Sequence, residues 1–371
     1  MNKPNIILVL LDGARWDRLN ISDKFSEVSK EGTLLNNVNT AIPYTIGSIN
    51  ALFSGRYGKD NGVDAYYKMF RLKESVKILS EILKESDYFT ACDLLSERII
   101  SKRGFDIHQW HDEHNDDLTK RHPEFIKMCL NKSNGKSFFI FLNFTKIHTV
   151  TVSKVLKKYQ WDDVEFYKNK VNNLSNYDNA FIDAGNYTKL ILDTIKELEI
   201  YDNTIIIFFS DHGTGVGERF GERNYGSFTY EETIRSFYLF LGNKIIKNRI
   251  TSSLRESIDI LPTILKLIGV QSENLPGKDF SYFLINENEK LEDKPYVFSE
   301  TGALEGPYPS PKEPNVFCIK NSRFKLMHIK TTNEWKFFDL LNDPLEKNNI
   351  YDEKLEIIKN LKIRLKSWIE R

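Results

Sequence analysis

The chain has little cysteine. Three residues in 371 (Cys92, Cys129 and Cys318) stand far apart and odd in number, which excludes a disulfide scaffold and a cysteine-built zinc cluster. It has no surplus of charge either: 52 Lys and Arg balance 52 Asp and Glu, so no sequence-wide attraction to nucleic acid or to an acidic membrane is expected. Long apolar runs are missing too. IILVLL at 6–11 is far too short to span a bilayer, and it ends in Asp12 without a small-residue cleavage site. Neither a transmembrane segment nor a signal peptide is expected, and the location expected is the cytoplasm. What is present is 40% hydrophobic residues with 13% aromatics, which excludes disorder. A chain of this length buries about three quarters of the surface it exposes when unfolded. A soluble globular protein follows.

Four apolar runs have the length of buried strands: Asn5–Leu11, Phe89–Leu94, Ser137–Phe144 and Thr204–Phe209. A fifth, Ser236–Leu241, follows soon after. Helical patterns lie between them at Val76–Glu85, Tyr177–Leu198 and Ser257–Ile268, the last tolerating Asp259 and Pro262 near its start. This alternation predicts an α/β fold with a doubly wound, mostly parallel sheet flanked by helices. Towards the end the pattern changes. Short strand-like runs at Asn315–Lys320, Arg323–Lys330 and Glu334–Asp339, then an amphipathic helix at Glu353–Ile369, predict a small antiparallel sheet with a closing helix. The expected division is a catalytic α/β domain over 1–300 and a small C-terminal α+β subdomain over 301–371. Gly306–Pro314 is proline-rich loop, and the charged, weakly patterned 160–176 reads as an insertion near the main cleft.

Polar residues follow three of the strands: Asp12 after the first, His148 shortly after the third, and Ser210-Asp211-His212-Gly213 after the fourth. Ligand sites in open α/β sheets lie outside the carboxyl ends of the strands, so these side chains can converge in one crevice. Two carboxylates and an imidazole suit a divalent ion, whether Mn, Zn, Mg or Ca. A strand-end Asp also commonly caps the next helix, and both readings stand at this level. Thr45 falls at or just before the start of a short helix closed by Gly55, where free N–H groups favour an anion. A hydroxyl there that touches a metal can attack a phosphoryl or sulfuryl centre. By residue type alone a plain helix cap is the commoner reading.

Longer motifs go further. PNIILVLLDG at 4–13, YTIGSINALFSGRYGKDNGV at 44–63, FFIFLNFTKIHT at 138–149, DNTIIIFFSDHGTGVGE at 202–218, SIDILPTILKLIG at 257–269 and FFDLLNDPLEKNNI at 337–350 occur in this order. Together they resemble the sulfatase branch of the alkaline phosphatase superfamily, along nearly the whole chain. The resemblance implies that Asp12, Asp211 and His212 are metal ligands and that Thr45 is the nucleophile, also touching the metal. It gives His148 a role at the substrate oxyanion or the leaving group.

The departures are specific. Sulfatases carry a Cys or Ser, converted to formylglycine, in a C/S-x-P-x-R motif; here Thr45, Gly47 and Ile49 stand at those positions. Threonine cannot become that aldehyde. The second Asp of the family's D-D pair is Gly13, a form resembling the phosphodiesterase branch, which uses a threonine nucleophile. That branch's second metal set is missing: Asp183 is followed four residues on by Tyr187, and only His328 comes late. The sulfate-gripping Lys-x-His is replaced by Leu95-Ser96-Glu97-Arg98. A threonine with one metal resembles the phosphoglycerol and phosphoethanolamine transferases, which carry transmembrane segments.

The expected function is a metal-dependent hydrolase or transferase acting on a phosphate ester through a phospho-Thr45 intermediate. Its expected partner is a phosphorylated or sulfated small molecule or glycan. The alternatives are a sulfuric ester hydrolase working without formylglycine, and an inactive glycan-binding relative. Of the other polar residues, His108, His111 and His114 have an i, i+3 spacing that could set two on one helical face to hold a metal, but their acidic surroundings favour a solvated loop; His122 and His328 are expected at the surface or core edge. Cys92 reads as a small buried hydrophobe. Glu218, Arg219, Glu222 and Arg223 line or solvate the substrate mouth, and Arg15 and Asp17 are candidates to support Asp12.

Overall fold

A computed structural model describes residues 3–68, 71–112, 114–151, 160–271 and 274–371. The large sheet is built from β1 (Asn5–Leu11), β2 (Gly32–Asn39), β3 (Phe89–Leu94), β4 (Ile107–Trp110), β5 (Phe138–Phe144), β6 (Thr204–Phe209), β7 (Arg235–Gly242), β8 (Arg249–Thr251) and β9 (Arg255–Glu256). Their order is β4-β3-β5-β1-β6-β7-β2-β8, with β9 also on β2. The strands from β4 to β6 run parallel. The four runs expected as buried strands are β1, β3, β5 and β6, and their continuous hydrophobicity has a direct cause. On β1, Ile6, Leu8 and Leu10 pack into one core while Ile7, Val9 and Leu11 pack into another on the opposite face.

The fifth run, β7, is antiparallel to β6. The chain between them supplies no crossover helix, so it re-enters the sheet at the carboxyl end of β6, where Ser210 N–H donates to the Phe237 carbonyl. Helices cover both faces. Thr45–Ser54, Leu79–Glu85 and Ile260–Leu267 lie on one, and Asp23–Ser29, Leu118–Lys132 and Lys170–Glu197 on the other. The 160–176 stretch carries helix: Val164–Lys168 forms one turn and Lys170 opens the 28-residue helix. Its first turns project into solvent, with Val171 80% exposed, so no apolar face was there to be patterned.

The second sheet is antiparallel, in the order β10 (Val297–Thr301), β11 (Val316–Lys320), β12 (Phe324–Ile329), β13 (Glu334–Asp339), and the Glu356–Glu370 helix closes it. Asn39 at the end of β2 donates its side-chain amide to the Phe298 carbonyl (3.0 Å), and Glu300 N–H donates to the Ala41 carbonyl (2.9 Å). Buried ion pairs add a further seam. Lys320 Nζ sits 2.9 Å from both Glu231 carboxylate oxygens, and Lys325 Nζ lies 2.7 Å from Glu346. Among the described residues, no helix is long and apolar enough to cross a membrane.

Candidate functional site

The carboxyl ends of β1, β5 and β6 open on one crevice. Asp12, directly after β1, is held by its N–H to the Phe144 carbonyl at the end of β5 (3.0 Å). Asp211 and His212 follow β6, and all three side chains are buried. Each offers a donor atom within 4.8 Å of the others. Thr45 is the first residue of its helix, and its Oγ1 lies 3.4 Å from Asp12 Oδ1 and 3.2 Å from His212 Nε2. The structure therefore brings Asp12, Thr45, Asp211 and His212 together.

The donor set suits a cation. His212 Nδ1 donates to the Gly213 carbonyl (2.8 Å), so Nε2 turns a lone pair into the crevice. Asp211 Oδ1 accepts from Gly13 N–H (3.2 Å) and His212 N–H (2.9 Å), while its buried Oδ2 has no hydrogen-bond partner among the described residues. Burial, then the charge of Asp211, raises the carboxyl of Asp12 above its usual range. Burial pushes Asp211 up to about 6. Two carboxylates forced together in a dry site, beside an imidazole lone pair, are relieved by a divalent ion. The residues present thus fit the metal expected from the sequence.

His148 lies on the Lys146–Thr151 helix, and its Nε2 shares a 2.7 Å hydrogen bond with the Tyr225 hydroxyl. The Tyr225 ring packs against His212, with centroids 4.2 Å apart. Tyr225 thus joins His148 to the Asp211–His212 end of the crevice, and the sequence reading missed it. Its only signal is an aromatic residue beside Gly226 in the loop after the S-D-H-G segment. Asn143 was missed as well; its amide donates to Asp12 Oδ2 at 3.5 Å while its carbonyl oxygen accepts from Leu95 N–H. Tyr44, Tyr66, Trp161, Arg223 and Tyr225 line the adjoining pocket.

The positions that depart from the sulfatase pattern have structural causes. Gly13 adopts φ +72°, and a Cβ there would come within 2.7 Å of Thr214 Oγ1. A Cβ at Gly47 would meet Ile42 at 2.4 Å, and Ile49 is a fully buried core residue. Arg15 ties loops rather than touching Asp12: it pairs with Asp17 (2.8 Å) and Glu218 (2.5 Å) and donates to the Thr214 carbonyl. Of the charged loop, Arg219 pairs with Glu232, Glu222 is buried, and only Arg223, paired with Asp163, reaches the pocket wall.

Expectations for three histidines fail, His108 lying half-buried on β4 rather than in a solvated loop. His111 is buried beside Asp93 rather than solvated, and His122 is fully buried rather than at the surface or core edge. Leu118, His122, Phe125, Ile126 and Cys129 form the buried stripe of one helix, a periodicity that places His122 inside. Burial pushes the His122 imidazole down to about 3, against the opposing pull of Asp93. His108 is half-buried 3.3 Å from the Ile100 carbonyl, His114 is exposed, and His328 stacks on Trp335. Cys92 is buried as expected.

Comparison with known proteins agrees with this arrangement. The Sulfatase family model matches residues 4–270, and the model described as N-sulphoglucosamine sulphohydrolase, C-terminal, matches residues 221–371. An N-acetylglucosamine-6-O-sulfatase of Bacteroides thetaiotaomicron is 32% identical over 169 residues, 43% of this chain and 29% of that protein. A low-salt glycan biosynthesis sulfotransferase of Haloferax volcanii is 23% identical over 288 residues, 74% of this chain and 63% of that one. The chain thus spans less than two thirds of either relative. Among solved structures, a 2-O GAG sulfatase superposes with TM-score 0.84 at 19% identity, covering 100% of this chain and 92% of that one. The phosphonate monoester hydrolase of Agrobacterium radiobacter does so with TM-score 0.76 at 14% identity, covering 99% and 96%. With a family match running from the first strand past the last of the crevice residues, and the same fold throughout, the chain belongs to the Sulfatase family.

Proposed function

We propose that this chain is a metal-dependent esterase or transferase that moves a phosphoryl group from a sugar-linked ester through Thr45. The observation that carries this reading is the Thr45 hydroxyl, set at the opening of a helix and facing both Asp12 and His212. An unmodified threonine has no route to the aldehyde on which sulfatases depend, whereas it can form a phosphate ester directly.

Asp12, Asp211 and His212 would hold the divalent ion, as divalent ions serve other members of the family. Bound there, it would supply positive charge that lowers the pKa of the Thr45 hydroxyl and offsets charge on the transferring group. Thr45 Oγ1 attacks phosphorus in line and its proton leaves toward Asp12 Oδ1, the acceptor it already faces. The bond to the departing sugar oxygen breaks, and His148, held by Tyr225, protonates that oxygen. Water or a second hydroxyl then attacks the phospho-Thr45 ester and returns the threonine.

A second reading, transfer of a sulfuryl group, has its support in the curated relatives, one named as a sulfatase and one as a sulfotransferase, and both named for sugars or glycans. Turnover of paired aryl phosphate monoester, phosphodiester and sulfate substrates by metal-loaded protein, beside Thr45→Ala, separates the two. Phosphoester cleavage lost in the variant supports the first reading. Sulfate cleavage alone replaces it with the second. Full activity of Thr45→Ala with metal bound removes the covalent step from both. Failure to bind metal at all would favour an inactive glycan-binding relative.

A further inference from the structure

A second group of buried ligating side chains lies on the far side of β5 from Thr45. We propose that Asp93, His111 and His122 form a separate, structural site for a zinc-class transition-metal ion. Asp93 is on β3, paired with Leu142 of β5 and Gln109 of β4. His111 follows β4, its N–H held by the Leu94 carbonyl (2.9 Å), and His122 comes from the Leu118–Lys132 helix. One ligand atom from each lies within 4.8 Å of the others, and all three residues are buried.

Two separations to the Asp93 carboxylate lie near the edge length of a tetrahedral site. His111 Nδ1 is 3.2 Å from Asp93 Oδ1, and His122 Nε2 is 3.9 Å from Asp93 Oδ2. Ligands about 2.0–2.1 Å from a tetrahedral zinc ion stand about 3.3 Å apart. The second, independent observation is that a fully buried imidazole nitrogen facing the carboxylate, His122 Nε2, makes no hydrogen bond among the described residues. Buried polar atoms are rarely left so. His122 is also oriented in the way metal-binding histidines are, its other nitrogen sharing a 2.5 Å hydrogen bond with the Tyr187 hydroxyl. Arg121 holds the carboxylate in place, with Nε 2.6 Å from Asp93 Oδ2 and a terminal nitrogen 3.3 Å from Oδ1. Two imidazoles with one carboxylate favour Zn²⁺ or Co²⁺ over Mg²⁺ and Ca²⁺, which prefer all-oxygen shells.

The position suits a brace. It joins β3, the turn after β4 and the Leu118–Lys132 helix. Through Tyr187, which stacks on Phe144 with centroids 4.2 Å apart, it also reaches the end of β5 that holds Asp12.

The test uses Co²⁺ and Zn²⁺ on the chelator-stripped chain of residues 1–371. The variant Asp12→Asn/Asp211→Asn, crippled at the crevice, should still bind one equivalent of either ion and show the visible absorption of tetrahedral Co²⁺. Adding His111→Gln/His122→Gln should abolish both, with Mg²⁺ never substituting. If the crevice variant binds no Co²⁺ or Zn²⁺, the proposal is overturned, and that result does not depend on whether the histidine variants fold. If the added histidine changes leave the equivalent and the spectrum in place, it is overturned as well.

Discussion

Ser48 Oγ donates a 2.9 Å hydrogen bond to the backbone carbonyl of Asp211. One turn into the helix that Thr45 opens, a serine therefore fastens that helix to the residue that follows β6. The same hydroxyl lies 2.9 Å from Thr40 Oγ1, so it is fixed on two sides. This bond ties the helix that carries Thr45 to the segment that carries Asp211 and His212.

Removing it should loosen the geometry without removing any ligand. Ser48→Ala is expected to lower kcat by about ten- to a hundredfold, the cost of a small misplacement at a reacting atom. Metal stoichiometry should be unchanged. Steady-state kinetics with metal analysis checks both halves.

Tyr225 connects His148 to His212, and Tyr225→Phe removes the hydroxyl while keeping the ring against His212. If His148 delivers a proton to the departing oxygen, the variant should lose about ten- to a hundredfold on alkyl esters. It should lose little on nitrophenyl esters, whose leaving groups need no proton. Rates across a leaving-group series read out the difference.

Glu300 is a buried residue of β10, and its carboxylate accepts from Lys59 N–H at 3.3 Å. Burial first, and then the charge of Asp64, pushes its carboxyl up to about 8. Between the ordinary value near 4.5 and about 8 the folded state holds a proton that the unfolded chain has lost. Stability therefore falls as pH rises through that window, by about 1.4 kcal/mol per pH unit from this group. Glu300→Gln should flatten the fall, leaving the variant more stable than the parent at pH 8. Denaturant titrations at pH 5 and pH 8 test the sign.

The closing D-P-x-E segment acts through Lys325. Its Nζ is 2.7 Å from Glu346 and 3.4 Å from Glu231, all buried, and Glu231 N–H donates to Glu346 Oε2 at 2.6 Å. Lys325→Met strands the buried Glu346 carboxylate, while Glu231 keeps Lys320, and should cost about 3–5 kcal/mol. Urea unfolding measures it.

Much of this was legible in the sequence. β1, β3, β5 and β6 read as strands because both of their faces are buried, and the two Asp and one His that follow β1 and β6 read as ligands because motifs flank them. β2 was missed because it mixes Leu34 and Leu35 with Asn36 and Asn37 across a register shift. β10 was missed because its VFSET is partly polar and its neighbours lie in two sheets. Tyr225 owes its place to the fold of a long loop, which no local period encodes. Asp93, His111 and His122 come from three elements with no common spacing. Tyr187, at the position where the phosphodiesterase branch has a histidine, is instead the hydrogen-bond partner of His122.

The most direct test of the account is the covalent state of Thr45. Metal-loaded protein quenched in acid during turnover of a phosphate ester, then mapped by peptide mass spectrometry, should carry phosphate on Thr45, and Thr45→Ala should carry none. Turnover with Thr45 unmodified at every time point, or with the phosphate on another residue, would contradict it.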